Sequence, residues 1–287
     1  MSLEFGGIFV VQSMGKKSYM IAKVKRIIET RKSDYQKIEI VELEEFGRAL
    51  ILDGLIQSTE SDENYYHEIL VHPAMTLHKK PEKILIIGGG EGATLREVLK
   101  HNTVREAIMV DIDPLVIELC KKYLECMHQG SFYNPKAKVV ISDGLKYVNE
   151  VEDKFDVIIL DLTDPYASKI ARKLYSKKFY EKMYSKLNDD GVLVTQAGNS
   201  FFYEKEYDDA LNALKQIFPI VIEYNIWIPS FAYACNFILA SKHYDPNKLS
   251  INEIDRRLKE RNVKTIFFNG KTWNAILNLP IYRNLRK

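Results

Sequence analysis

From Lys83 onward, short and almost wholly apolar runs alternate with longer stretches whose apolar residues recur every three or four positions. The runs are KILIIG (83–88), EAIMVDID (106–113), AKVVIS (137–142), FDVIILDL (155–162) and GVLVTQ (191–196), and the amphipathic stretches lie near residues 94–101, 114–127, 174–187 and 204–217. Strands buried on both faces lose the alternation of a half-solvated sheet, because the helices that link parallel strands cover both sides. The pattern predicts a doubly wound α/β fold built on a parallel sheet.

Before Lys83 the rhythm is different. Residues 20–60 include KIEIVELEEFGRALILDGLIQST, short β-branched runs broken at Phe46-Gly47 and Asp53-Gly54, which read as antiparallel hairpins. The expected division is a small N-terminal antiparallel β domain over residues 1–68 and a catalytic α/β domain over residues 69–287. A chain of 287 residues with 46% hydrophobic composition can bury a sizeable core. Its 41 basic and 39 acidic residues leave a net charge of +2. They are interspersed, so neither nucleic acid nor a membrane surface is an expected partner. The three cysteines lack metal-ligand spacing and fit a reducing compartment. With no basic leader and no bilayer-length apolar run, the expected location is cytoplasmic.

Chemistry concentrates at the strand ends, where open α/β sheets bind ligands. Glu91 follows the first apolar run, Asp111 ends the second, Asp143 with Gly144 follows the third, and Asp161 ends the fourth with Asp164 three residues on. Gly88, Gly90 and Ala93 satisfy a loose dinucleotide fingerprint, and Asp111 stands about 20 residues beyond, where a carboxylate takes ribose hydroxyls. The acid at Glu91 argues against a phosphate in this turn, since it would repel the anion that the helix N-terminus favours. A nucleoside with a cationic arm suits the set better: Asp111 on the ribose, Asp143-Gly144 near the base, Glu91 facing positive charge.

The segments YQKIEI, ILDGLIQSTESDENYYHEILVHPAM, ILIIGGGEGATLREVLKH, DIDP, SDG, DLTDP and LYSKKFYEKMYSKLNDDGVLVTQ resemble, in order and spacing, the polyamine aminopropyltransferases, the spermidine synthase family, over residues 35–241. LVHPAM, HQGSF and DLTDP look closer to the branch that accepts agmatine or longer amines, the triamine and thermospermine type, than to ordinary putrescine enzymes. The resemblance implies a Rossmann-like, class I methyltransferase-like catalytic domain and a homodimer or homotetramer. It implies transfer of an aminopropyl group from decarboxylated S-adenosylmethionine, a co-substrate rather than a cofactor, to an amine, with release of methylthioadenosine. The acceptor stays open among putrescine, agmatine, cadaverine and spermidine. An S-adenosylmethionine-dependent methyltransferase and a non-catalytic nucleoside-binding paralogue are the alternatives.

Carried over residue by residue, the resemblance gives Gln36, Asp111, Asp143 and Gly144, with Gly88, Gly90 and Glu91, to the donor. Tyr66, His67, Glu91, Asp161, Asp164, Gln196 and Phe231 go to the acceptor. Asp161 is the implied proton acceptor, with Tyr66 and Asp164 beside it. An alkyl amine with a pKa near 10.4 is neutral in only about one molecule in a thousand at pH 7, a barrier of roughly 4 to 5 kcal/mol that a carboxylate must help to meet. Asp161 is therefore expected to have a raised pKa, through Asp164 and closure of the site. Glu91 is expected to reject the carboxylate of S-adenosylmethionine. Loss of a neutral thioether from a sulfonium calls for neither metal nor oxyanion hole. Three departures from the family pattern are visible: Tyr166, Ala167 and Ser168 after DLTDP, Phe231 where a tyrosine is common, and the neutral AGNSFF after Gln196. The stripe Tyr175, Phe179, Tyr180 and Tyr184 reads as core, and residues 169–175 as a loop or a mobile lid.

Overall fold

The structure is a computed structural model, and it describes residues 6–166 and 172–284. Five strands, β1 (Ile8–Gly15), β2 (Ser18–Lys32), β3 (Lys37–Leu43), β4 (Gly47–Leu52) and β5 (Leu55–Thr59), pair antiparallel in chain order. The β4–β5 turn is set by Asp53 and Gly54, both at positive φ (49° and 81°), the geometry a two-residue hairpin requires for Leu52 to pair with Leu55. β1 and the long first arm β2 were not legible as separate elements in the sequence.

Next comes α1 (Glu63–Leu77), followed by β6 (Lys83–Gly88), α2 (Ala93–Leu99), β7 (Glu106–Asp111), α3 (Pro114–Tyr123), α4 (Glu125–His128), β8 (Ala137–Ile141), α5 (Gly144–Glu150), β9 (Phe155–Asp161), α6 (Lys177–Lys186), β10 (Leu187–Gln196), α7 (Glu204–Lys215), β11 (Ile220–Ile228), β12 (Tyr233–Ser241), α8 (Ile251–Glu260) and α9 (Gly270–Leu277). Strands β6 to β12 form one sheet in the order β11-β12-β10-β9-β6-β7-β8. β6 to β10 run parallel, as the alternating pattern predicts. β12 runs antiparallel to both β10 and β11, so β11 points the same way as β6 to β10 and one reversed strand sits in an otherwise parallel sheet, which corrects the reading of a purely parallel one. The chain order reverses between β6 and β9, and that crevice is the switch point.

The division expected after residue 68 falls in the middle of α1, a helix buried on nearly every side. Such a helix shows no amphipathic period, which is why its pattern stays silent in the sequence. Pro73 interrupts its hydrogen bonding by lacking an N–H, and the Tyr224 hydroxyl donates 3.2 Å to the carbonyl of Ile69 that the proline leaves free. Ile38, Ile40 and Leu50 of the small sheet pack into one apolar cluster with Val116, Leu119 and Cys120 of α3. The N-terminal sheet is thereby joined to the sheet edge that carries Asp111. Among the described residues no helix is long and apolar enough to cross a membrane.

Candidate active site

Gly88 at the end of β6 and the two glycines after it make room for Asp161 and Asp111. Gly88 pairs with Asp161 across the switch point, and a Cβ on it would lie 2.0 Å from the Asp161 carbonyl oxygen. A Cβ on Gly90 would sit 2.8 Å from Asp111 Oδ2. Any side chain here would push away the acids that the strand ends present, and Gly88, at φ +85°, is also in backbone territory that glycine favours. Close packing on the Asp161 backbone answers for Gly88, and close approach to the Asp111 carboxylate for Gly90.

Two adjoining cavities open at this crevice. The smaller, about 180 Å³, is lined by Gly88, Gly90, Asp111, Asp143, Gly144 and Gln36. Asp111 accepts the N–H of Asp113 at 2.9 Å, and burial, with Glu91 and Asp113 nearby, pushes its carboxyl up to about 6. Asp143 also caps α5, accepting 2.9 Å from the Lys146 N–H, so cap and lining are one residue. Gln36 reaches the cavity because Asp113 Oδ2 accepts both its amide (3.0 Å) and the Ser33 hydroxyl (2.6 Å), a tie between the β2–β3 turn and the start of α3. Asp113, wholly buried, is a residue that sequence reasoning missed; its place in DIDP, one before a proline, was the available signal for a helix cap.

The larger cavity, about 270 Å³, meets the first at Glu91, Leu162 and Thr163, and its wall includes Tyr66, Asp161, Asp164, Gln196 and Phe231. Asp161 Oδ1 accepts the Tyr66 hydroxyl at 2.8 Å, and Oδ2 accepts the Thr94 hydroxyl at 2.6 Å. Burial first, and then the charge of Glu91, raises its carboxyl to about 6. The upward direction is as expected, but the neighbour responsible is Glu91 and not Asp164. Asp164 lies beside Tyr166, Gln196 and Tyr233, whose polar groups partly offset its burial, and its carboxyl too is held above the usual range by that burial. Thr94 and Tyr233 were not foreseen; Thr94 lies in the first turn of α2, one turn above the glycines, and Tyr233 two residues past Phe231. The hydroxyl expected to be lost at Phe231 is thus matched by Tyr233, whose oxygen lies 3.4 Å from Asp164 Oδ2.

His67 differs from its expected place. It is 1% exposed and absent from both cavity walls, standing behind Glu91 with Nε2 at 2.7 Å from Glu91 Oε1 and Nδ1 at 2.8 Å from Glu63 Oε2. Although burial opposes the charge, these two carboxylates raise its pKa to about 10, so the ring carries both protons at neutral pH. Glu91 is therefore paired with an imidazolium and is not the free negative charge expected from the sequence. His67, Glu91 and Asp161 offer ligand atoms within 4.8 Å of one another. A doubly protonated imidazole has no lone pair to give a metal, so the trio suits an internal ion pair.

Gln196 turns its amide to Leu162 O and the Tyr175 hydroxyl, and its oxygen accepts the Gly198 N–H at 2.8 Å. It shapes the wall through the backbone as much as it lines it. Tyr175 and Phe179 are core, as read, although Tyr175 also touches Thr163 O at 3.2 Å. Tyr65 packs edge-on against Phe267 away from the cavities. Of the loop or lid reading for residues 169–175, residues 169–171 lie outside the described residues, as do Ala167 and Ser168, while Tyr175 at its end is buried core.

Residues 63–251 match the family model described as the spermine/spermidine synthase domain, and residues 11–60 match the spermidine synthase tetramerisation domain. A polyamine aminopropyltransferase of Pyrobaculum calidifontis is 55% identical over 284 residues, 98% of each chain. Polyamine aminopropyltransferase 1 of Hyperthermus butylicus is 50% identical over 259 residues, 89% of each chain. Among solved structures, spermidine synthase in complex with the transition state analogue AdoDATO superposes with a TM-score of 0.89 at 34% identity, covering 98% of this chain and 96% of that one. The spermidine synthase of Thermotoga maritima gives 0.86 at 33% identity, over 98% and 95%.

Proposed function

The chain belongs to the spermine/spermidine synthase family, and from that premise we propose that it transfers the aminopropyl group of decarboxylated S-adenosylmethionine to a polyamine acceptor and releases methylthioadenosine. In this reading the smaller cavity takes the nucleoside: Asp111 the ribose, Asp143 and Gly144 the base, Gln36 the roof. The sulfonium and propyl arm reach the junction at Glu91. The acceptor enters the larger cavity, its attacking nitrogen against Asp161 and its remaining positive charge toward Asp164. The attacking nitrogen bonds to the propyl carbon as the carbon–sulfur bond breaks, the bonding pair returns to sulfur as a thioether, and the amine proton goes to Asp161.

The observation that carries this reading is the state of Asp161. An ordinary carboxylate is a poor match for an alkylammonium proton. A carboxyl raised to about 6 narrows that mismatch by roughly 3 kcal/mol at about 1.36 kcal/mol per pH unit, while remaining mostly ionised at pH 7. Tyr66 and Thr94 fix both of its oxygens, so the base is oriented before substrate arrives. Incubating the enzyme with decarboxylated S-adenosylmethionine and a panel of amines, with methylthioadenosine and product mass as readouts, tests the function and names the acceptor. Turnover with S-adenosylmethionine as a methyl donor, and none with the decarboxylated form, would overturn it.

The match to the tetramerisation domain supports a homodimer or homotetramer joined through the N-terminal sheet. Val11 and Ile21, paired across β1 and β2, are 56% and 58% exposed on that sheet, which is apolar area suited to a second copy. Sedimentation equilibrium reads the state directly, and a monomer at micromolar concentration would contradict it.

A further inference from the structure

The far end of the acceptor cavity is built around a tyrosine that the proposed reaction does not use. Tyr166 lines the cavity. Its ring stacks on Tyr203 with centroids 3.5 Å apart and planes 13° from parallel. Tyr203 immediately precedes α7, and its hydroxyl bonds Ser13 of β1, itself part of the cavity wall. The stack therefore spans from the large sheet to the small one. The Tyr166 hydroxyl donates to Asp164.

Room for this arrangement comes from Gly198. At φ +67° it lies so close that a Cβ would sit 2.8 Å from Tyr166 Cε1 and 3.1 Å from Asp164 Oδ1. Its carbonyl accepts both the backbone N–H (2.9 Å) and the side-chain amide (2.8 Å) of Asn236, and its N–H donates to Gln196. A backbone pinned by three hydrogen bonds beside an aromatic pair backed by a helix start is a rigid wall, whereas a simple filler would need none of this. Tyr166 bears on the cavity in two ways. The hydroxyl holds Asp164 in one orientation, and the backed ring limits how far the acceptor can extend.

We propose that Tyr166 is a specificity-determining residue, setting the length of the acceptor and positioning Asp164 for its distal cation. The proposal rests on the reading of the larger cavity as the acceptor site. For a diamine of fixed length, the wall keeps the distal nitrogen beside Asp164; without it, a longer chain fits equally well.

The test compares wild type, Tyr166→Phe and Tyr166→Ala with 1,3-diaminopropane, putrescine, cadaverine and spermidine, using decarboxylated S-adenosylmethionine as donor. Y166F should keep the stack and raise acceptor KM about five- to tenfold, the loss expected for one ordinary hydrogen bond. Its donor KM should stay within about twofold of wild type. Y166A should shift the ratio of kcat/KM for the longest amine against the best short one about tenfold toward the longer. Methylthioadenosine binding by calorimetry and the melting temperature establish that each variant is folded, and a variant that fails to fold is replaced by Tyr166→Leu in the same assay. Wild-type turnover with an amine preference and acceptor KM unchanged in every variant overturns this inference alone. No aminopropyl transfer by the wild type to any amine overturns the proposed function and this inference with it.

Discussion

The floor of the cavities and the layer directly behind it are both crowded with carboxylates withdrawn from water, and they treat those charges in opposite ways. Behind the floor, Glu63 and Glu97 are 3% and 0% exposed and share the Arg96 guanidinium. Arg96 reaches Glu63 at 2.8 Å and Glu97 at 2.7 Å, His67 pairs with Glu63, and His72 and Lys100 reach Glu97 at 2.9 and 2.7 Å. Although burial alone would raise them, these partners hold both carboxyls below the usual range. Glu68, wholly buried, is satisfied by the backbone N–H groups of residues 266, 267 and 268. In the cavity floor, Asp161, Asp164 and Asp111 are instead held by hydroxyls, an amide and a backbone N–H, and burial raises all three. Desolvation is common to both layers, so it is the partner that decides the sign. Acids held by neutral groups keep their attraction for a cation that comes from outside. Glu91 stands on the border, facing the cavities while tied to His67.

The contrast can be broken most forcefully at Asp161. Asp161→Asn preserves shape and removes the base, so turnover should fall about 10²- to 10⁴-fold while methylthioadenosine still binds. Initial rates with calorimetry check this, and a loss of less than about tenfold would remove the proposed role. The next largest effect belongs to the paired layer. Glu97→Gln leaves Arg96 with Glu63 alone and His72 without its carboxylate, and should destabilise the fold by about 3 kcal/mol, read from chemical denaturation.

A smaller effect of opposite sign sharpens the comparison. Because folding raises the Asp161 carboxyl, the native state binds its proton more tightly than the unfolded chain. That contribution to stability is fully present below the unfolded value of about 3.9 and is lost as pH rises through about 6. Asn at this position removes the penalty, so D161N should be more stable than wild type by about 2 to 3 kcal/mol at pH 7 and equal to it near pH 3.5. Melting temperatures across that range decide the matter. His67 behaves as the paired layer does: its raised pKa stabilises the fold fully below about pH 6.5, and the contribution fades as pH rises through about 10. His67→Gln should therefore narrow its deficit against wild type at alkaline pH, visible in the same scans.

The two layers also differ in how far the sequence reveals them. Strand ends follow from apolar runs, so Asp111, Asp143, Asp161 and Asp164 were placed at one edge by pattern alone, and the glycines with them. Gln36, Tyr66, Gln196 and Phe231 came only through resemblance, since nothing in their spacing marks them. The paired layer was not legible. Its acids and cations sit on α1 and α2, and α1 is buried all round, so that Glu63, Glu68 and His72 follow no polar face. His67 was assigned to the acceptor for the same reason: a local motif cannot tell a residue lining a cavity from one supporting it from behind. Thr94 and Asp113 were missed because their partners are 67 and 77 to 80 residues away.

Titrating the Asp161 carboxyl in the free enzyme, by carbon NMR of labelled aspartate assigned with D161N, tests most directly whether the floor is a set of acids without cationic partners. A midpoint near pH 6 that falls when a methylthioadenosine and diamine pair binds is the predicted result. A midpoint near 4 in the free enzyme, unmoved by the diamine, would contradict it.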